Sequence, residues 1–165
     1  MNSLFKKATV NDIELIRELA EKSWESAYSE ILSYEQIEYM LSTMYSEKEI
    51  STQMKNPNYQ YFLITDENVT VGFIGFQLHY EEGTTKLHRL YLLPEHKGKG
   101  YGKKAMNFLK EKVFENSDRR IILNVNKNNP AKKIYESQGF IVYDEGVFDI
   151  GNGFVMDDFL MEYKL

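Results

Sequence analysis

The sequence predicts an α/β chain of the α+β kind. Its sheet is mixed but mostly antiparallel, flanked by helices, in the order β-α-α-β-β-β-α-β-α-β-β. Two observations carry this. Short runs rich in β-branched and aromatic residues alternate with longer runs whose apolar residues recur at helical spacing. Helices separate the strands only in the second half, so hairpins connect the earlier strands and crossovers the later ones. The 165 residues, 42% hydrophobic and 14% aromatic, show no repeat or linker. They are expected to fold as a single domain over 1–165 with one sizeable core.

Taken in order, Leu4 to Lys7 reads as a short first strand. Thr9-Val10-Asn11-Asp12 has the form of a capping box before a helix that carries Ile13, Ile16, Ala20, Trp24 and Ala27 on one face. A second helical stretch runs from about Tyr34 to Met54, broken near Ser42 to Tyr45, and Asn56-Pro57-Asn58 ends it. Tyr59 to Thr65 and Val69 to Tyr80 form a hairpin around Asp66-Glu67-Asn68. Thr84 to Leu93 is the next strand. The helix from Gly100 to about Glu115 buries Ala105, Phe108, Leu109 and Val113, and Arg120 to Val125 is a strand. Pro130 suits the first turn of a helix that Gly139 ends. Phe140 to Phe148 and Phe154 to Leu165 then close the chain as a hairpin around Gly151-Asn152-Gly153.

Composition removes several function classes. A net charge of -5 leaves no general footprint for nucleic acid, and no apolar stretch approaches the roughly 20 residues of a membrane span. Without a signal-peptide core the protein is expected to be soluble and cytoplasmic. The absence of cysteine fits a reducing compartment and rules out a covalent intermediate on sulfur. His79, His88 and His96 have no metal-ligand spacing, so no metal site is expected.

Against this acidic background stands His96-Lys97-Gly98-Lys99-Gly100-Tyr101-Gly102-Lys103-Lys104, between an apolar strand and an amphipathic helix. Alternate glycines let successive N–H groups converge on one point, the helix start adds its positive dipole end, and the lysines add charge. That is chemistry for a phosphate. The spacing excludes a dinucleotide fingerprint, which needs glycine at 103, and a Walker A loop, which needs Ser or Thr at 104. No Gly-x-Ser-x-Gly elbow is present.

The run Leu92-Leu93-Pro94 followed by Lys97-Gly98-Lys99-Gly100-Tyr101-Gly102 resembles the acetyl-CoA loop of the GNAT acetyltransferase superfamily. Downstream, Asn128, Ala131, Tyr135, Gly139 and Phe140 resemble that family's second motif, and the element order is similar over essentially the whole chain. Trp24-x-x-x-Tyr28 and the closing stretch are similar, more weakly, to a branch of spermidine/spermine-type acetyltransferases. Position 97 departs from the family's usual Gln or Arg, keeping a charge but losing a planar donor. The turn after Val125 is one residue short, so Asn128 is the expected ligand with Asn129 its alternative.

The resemblance implies acetyl-CoA as co-substrate. Its pyrophosphate would lie on the backbone of Gly98 to Lys103, with Lys97, Lys99 and Tyr101 in the loop and pantetheine along Tyr91 and Leu92. Lys132 or Lys133 would reach the 3′-phosphate. Tyr135 would give a proton to the departing thiolate. The acceptor amine must also lose a proton: at a pKa of ~10.4 that costs about 4.6 kcal/mol at pH 7. His88 is the first candidate base, since an imidazole titrates near working pH, with His79, Glu81, Glu82 or water as alternatives. Acidic residues Glu81, Glu82, Asp144, Glu145, Asp149, Asp157 and Asp158 would attract a cationic amine, a polyamine among them. A protein or peptide amine, and a catalytically silent CoA-binding module, are the rival readings. An exposed edge near the closing hairpin would make a homodimer reasonable.

Overall fold

The computed structural model describes residues 4–165. One seven-stranded sheet runs in the order β1-β2-β3-β4-β5-β7-β6, and every neighbouring pair is antiparallel except β4–β5. The elements are β1 (Phe5–Lys7), α1 (Ile13–Tyr28), α2 (Tyr34–Met44), α3 (Glu47–Met54), β2 (Tyr59–Asp66), β3 (Val69–Glu81) and β4 (Thr84–Leu92). They continue with α4 (Tyr101–Glu115), β5 (Arg120–Asn126), α5 (Ala131–Ser137), β6 (Ile141–Gly151) and β7 (Phe154–Lys164). The break expected near Ser42 to Tyr45 falls between Met44 and Glu47 and divides the second helical stretch into two helices, because Ser46 takes the N–H of Glu49 and starts a new one after Tyr45. The Thr9–Asp12 capping box is present, but it caps a short 3-10 turn that leads into α1.

Period-two alternation divides the core between the sheet's two faces. On β2, Tyr59, Tyr61 and Leu63 pack under α1, α2 and α3, while Phe62 and Ile64 face α4. Trp24, Tyr28, Tyr45 and Phe73 fill the first layer, and Ala105, Met106, Leu109 and Val113 of α4 fill the second. Arg89 of β4 is buried among the aromatic rings of the first layer. Its Nη1 donates to Tyr61 Oη at 2.6 Å, its Nη2 donates to the Met44 carbonyl at 2.7 Å, and its guanidinium lies 4.0 Å from the Tyr45 ring centroid. It thereby ties the end of α2 to β4.

Strand β4 carries a bulge. Gly75 stands opposite Arg89 but Phe76 opposite Leu87, so His88 is the extra residue of a bulge. Further along, β3 and β4 approach so closely that a Cβ on Gly72 would overlap the Tyr91 carbonyl oxygen and come within 3.0 Å of the Leu92 Cα.

Candidate active site

β4 and β5 pair only from Thr84 opposite Arg120 to Leu87 opposite Leu123. Beyond that point β4 stays with β3 as far as Leu92, β5 stays with β7 as far as Asn126, and no strand among the described residues bridges them. The bulge at His88 lies where they part. The gap opens into a cleft of about 420 Å³, walled by His88 to Leu92, Leu123 to Val125, the starts of α4 and α5, and Ser23 and Tyr28 of α1. The unpaired edge of β4 beside Tyr91 and Leu92 fits the expected pantetheine wall.

The glycine-lysine loop caps one end. Gly98 (φ +78°) and Gly100 (φ +86°) are both left-handed, a conformation that costs about 1–2 kcal/mol with a side chain. Gly102 is an ordinary helical residue in the first turn of α4. Its expected role as a third turning glycine is therefore corrected. Ser33 and Ser46 cap α2 and α3 with their hydroxyls, whereas no side chain caps α4. The first N–H groups of α4 are thus left for an anion. Lys97, Gly98, Gly100, Tyr101, Gly102 and Lys103 line the cleft; exposed Lys99 does not. The Tyr101 hydroxyl donates to the Asp66 carboxylate, so this side chain anchors the helix start to the β2–β3 turn and leaves only its backbone to the loop.

At the inner end, Tyr135 of α5 lines the cleft, half-buried, and its hydroxyl has no hydrogen-bond partner among the described residues. Burial holds the phenol well above its ordinary pKa, so it remains protonated. Tyr28 stands on the opposite wall. Asn129 Nδ2 donates to its hydroxyl at 3.1 Å, and burial pushes that hydroxyl up to about 12. Asn129 Oδ1 also takes the Ala131 N–H at 2.9 Å at the start of α5. Of the two expected asparagines, Asn129 lines the cleft and Asn128 does not: a tight turn, with Asn129 N–H donating to the Asn126 carbonyl, leaves Asn128 exposed. Sequence reasoning gave no role to Ser23 or Asn124, which also line the cleft, and noted Tyr28 only through its likeness to one branch. The signal for Tyr28 was present, since it falls one turn after Trp24 on the buried face of α1.

The bulge turns His88 to the same side of the sheet as Arg89. There it stacks on Tyr59 with centroids 4.8 Å apart, and Nε2 sits 3.1 Å from Gln77 Oε1. Burial pulls the imidazole down to about 3, and the Lys86 and Arg89 charges act in the same direction. The expectation that it titrates near working pH is thus corrected: at pH 7 it is neutral and a weak base. Between pH ~6.5 and about 3 the unfolded chain binds a proton at His88 that the folded protein refuses, so stability falls as pH drops through that window. His88→Phe keeps the stacking and removes this component. Urea midpoints at about pH 4.5 and about pH 7 should differ less in the variant than in the wild type; an undiminished difference would contradict the assignment.

The other expected bases stand elsewhere. His79 faces Asp118, its Nδ1 lying 2.8 Å from Oδ1, and Glu81 reaches Arg120 at 3.7 Å; neither they nor Glu82 line the cleft. Lys132 lies 3.8 Å from Glu136 and over the Phe159 ring, and neither it nor exposed Lys133 reaches the cleft wall. No group of three or more metal-ligating side chains exists among the described residues, and no described helix is long and apolar enough to cross a membrane.

Residues 13–140 match the acetyltransferase (GNAT) family. The chain is 27% identical over 162 residues to the spermidine N(1)-acetyltransferase of Thermoplasma acidophilum, spanning 95% of this chain and 97% of that one. Its fold superposes on the crystal structure of the PaiA N-acetyltransferase from Thermoplasma acidophilum in complex with coenzyme A, with a TM-score of 0.81 and 24% identity over the whole of both chains. A GCN5-related N-acetyltransferase from Rhodopseudomonas palustris superposes with a TM-score of 0.83 at 17% identity, covering 100% of this chain and 97% of that one. The splayed strands, the uncapped helix start and the match over residues 13–140 agree, and the chain belongs to the GNAT family as an acetyl-CoA-dependent N-acetyltransferase.

Proposed function

We propose that the acceptor is the primary amine of a small cationic molecule, with a polyamine of the spermidine type first among them. The observation that carries this reading is the likeness to a spermidine N(1)-acetyltransferase over nearly the full length of both chains. The acid-rich surface supports it in part. Glu81 is paired with Arg120, and Glu145 and Asp157 with Lys127, which leaves Glu82, Asp144 and Asp149 exposed and outside ion pairs among the described residues, while Asp158 is buried.

Transfer is direct: the amine attacks the thioester carbonyl carbon of acetyl-CoA in a ternary complex, since no cysteine is available to carry the acetyl group. Tyr135 is the proton donor to the leaving sulfur, and the backbone at the start of α4 holds the pyrophosphate. The experiment is acetyl-CoA consumption with spermidine, an aminoglycoside, free amino acids and short peptides as acceptors. Turnover is expected with spermidine, and its absence alongside turnover of another acceptor would remove the polyamine reading.

A further inference from the structure

Asn129 gives the hydrogen bond at Tyr28 a direction. Its Oδ1 is taken by the Ala131 N–H at 2.9 Å, which leaves Nδ2 facing the Tyr28 Oη at 3.1 Å, and an amide nitrogen only donates. Tyr28 is therefore the acceptor in that pair. Its own hydroxyl proton has no acceptor within hydrogen-bond distance among the described residues, although the side chain is only 5% exposed. Burial raises the hydroxyl, and Asn129 and Tyr91, both acting as donors to its oxygen, pull against that rise. What this group lacks is something to accept from it.

The cleft is where such an acceptor arrives. Tyr28 and Asn129 both line it, and the turn that carries Asn129 leads directly into α5, whose Tyr135 lines it too. Tyr135 is raised by burial first and by Tyr28 second, so the two phenols lie within electrostatic reach of one another. The Tyr28 ring packs against Trp24 with centroids 4.5 Å apart, and the Asn129 bond holds its oxygen, so ring and hydroxyl are both fixed. A fixed donor in a water-poor site suits a developing anion, because it is already oriented when the charge appears.

We propose that Tyr28 is a catalytic residue whose hydroxyl donates to the thioester carbonyl oxygen of acetyl-CoA and holds the charge that oxygen gains as the amine attacks, with Asn129 as its positioning residue. This deepens the direct-transfer reading above and rests on it. The ammonium R–NH3⁺ first gives one proton to water. The nitrogen pair then forms the C–N bond while the carbonyl π pair moves onto oxygen, against the Tyr28 hydroxyl. That pair returns, the C–S bond breaks, Tyr135 protonates the sulfur, and the second nitrogen proton restores Tyr135. Tyr28, held up to about 12 by burial, keeps its own proton throughout. Sulfur and oxygen diverge from the same carbon, so hydroxyls on opposite walls of the cleft serve one each.

The test is the infrared carbonyl band of acetyl-CoA, ¹³C-labelled at the acetyl carbonyl and bound without any amine, together with kcat and the KM for acetyl-CoA. A donated hydrogen bond weakens the C=O bond and lowers its frequency. Tyr28→Phe is expected to raise the band above its wild-type position and to lower kcat by about a hundredfold, with the acetyl-CoA KM little changed. Asn129→Asp is the discriminating variant. It keeps the size of the side chain and the Ala131 contact, but its carboxylate accepts the Tyr28 proton, so the tether survives while the donor is turned away. The same rise of the band and the same loss of kcat are expected, at a melting temperature no lower than that of Tyr28→Phe. A wild-type band or a wild-type kcat in either variant overturns the proposal. A loss in Tyr28→Phe that Asn129→Asp does not share makes the pair a structural tether and overturns it as well. Tyr135→Phe should leave the band in place, and an equal rise there would overturn the assignment of the carbonyl to Tyr28. Because the band is read without an amine, a shift that depends on Tyr28 alongside no turnover of any acceptor would overturn the direct-transfer reading and leave this contact standing.

Discussion

Tyr135→Phe is expected to lower kcat for acetyl transfer by about a hundredfold while leaving acetyl-CoA affinity and melting temperature where they are. The phenol is half-buried, lines the cleft and makes no hydrogen bond within the described protein, so deleting its oxygen breaks no fold-holding contact. On the proposed role of Tyr135, what is lost is the proton the sulfur needs as the C–S bond breaks, and positioned proton transfer contributes about 10²–10⁴ in rate. Burial keeps the hydroxyl protonated throughout the range in which amines are acetylated, so the wild-type donor is not titrated away there. Tyr28→Phe makes the useful contrast. Its hydroxyl is held by Asn129, so this change should disturb the start of α5 as well as the rate. Steady-state kinetics with acetyl-CoA titrations on both variants would check this. An unchanged kcat in Tyr135→Phe would move the donor role elsewhere.

The largest structural effect is expected at Gly72, outside the glycine-lysine loop that first draws the eye. An added Cβ would overlap the Tyr91 carbonyl oxygen and press on the Leu92 Cα, both backbone atoms that cannot rotate away. Gly72→Ala should therefore push β3 from β4 and cost about 3 kcal/mol, on the order of 10 °C in melting temperature. Because the displaced atoms form the cleft wall, acetyl-CoA affinity should fall with stability. Gly102→Ala provides the opposite case: its Cβ would meet Leu92 Cδ1 at 3.9 Å, an ordinary contact, and alanine is the better helix former by about 1 kcal/mol. Thermal unfolding of the two variants separates them, and a Gly72→Ala protein as stable as wild type would show that the strands can adjust.

Local chemistry made most of the fold and the donor side of the site legible. Thr9 and Asp12 formed their box, Gly139 took its left-handed place after α5, and the Leu92 to Lys103 run led from strand to helix. What stayed hidden depended on register. One residue in the turn after β5 decides between Asn128 and Asn129, and one bulged residue in β4 decides which side His88 faces. Asp158 was visible as one acidic residue among several in the closing hairpin. Nothing in its neighbours along the chain separates it from Asp157, which stands exposed beside Lys127, because the distinction arises from β5 packing against β7.

The short pairing of β4 with β5 also has a mechanical meaning. Among the described residues, the four facing pairs from Thr84 to Leu87 are the only ladder in the sheet that joins the half built from β1 to β4 to the half built from β5, β7 and β6. Arg89 locks the first half to its overlying helices through Tyr61, Tyr45 and Met44, so that half should behave as a stiff block. Within the sheet itself, the two halves are then joined below Leu87 and separate above it, with α4 packed across both. The cleft lies where they separate, and amide hydrogen exchange faster along Leu123 to Asn126 than along Arg120 to Ile122 is the expected sign that the two halves open there.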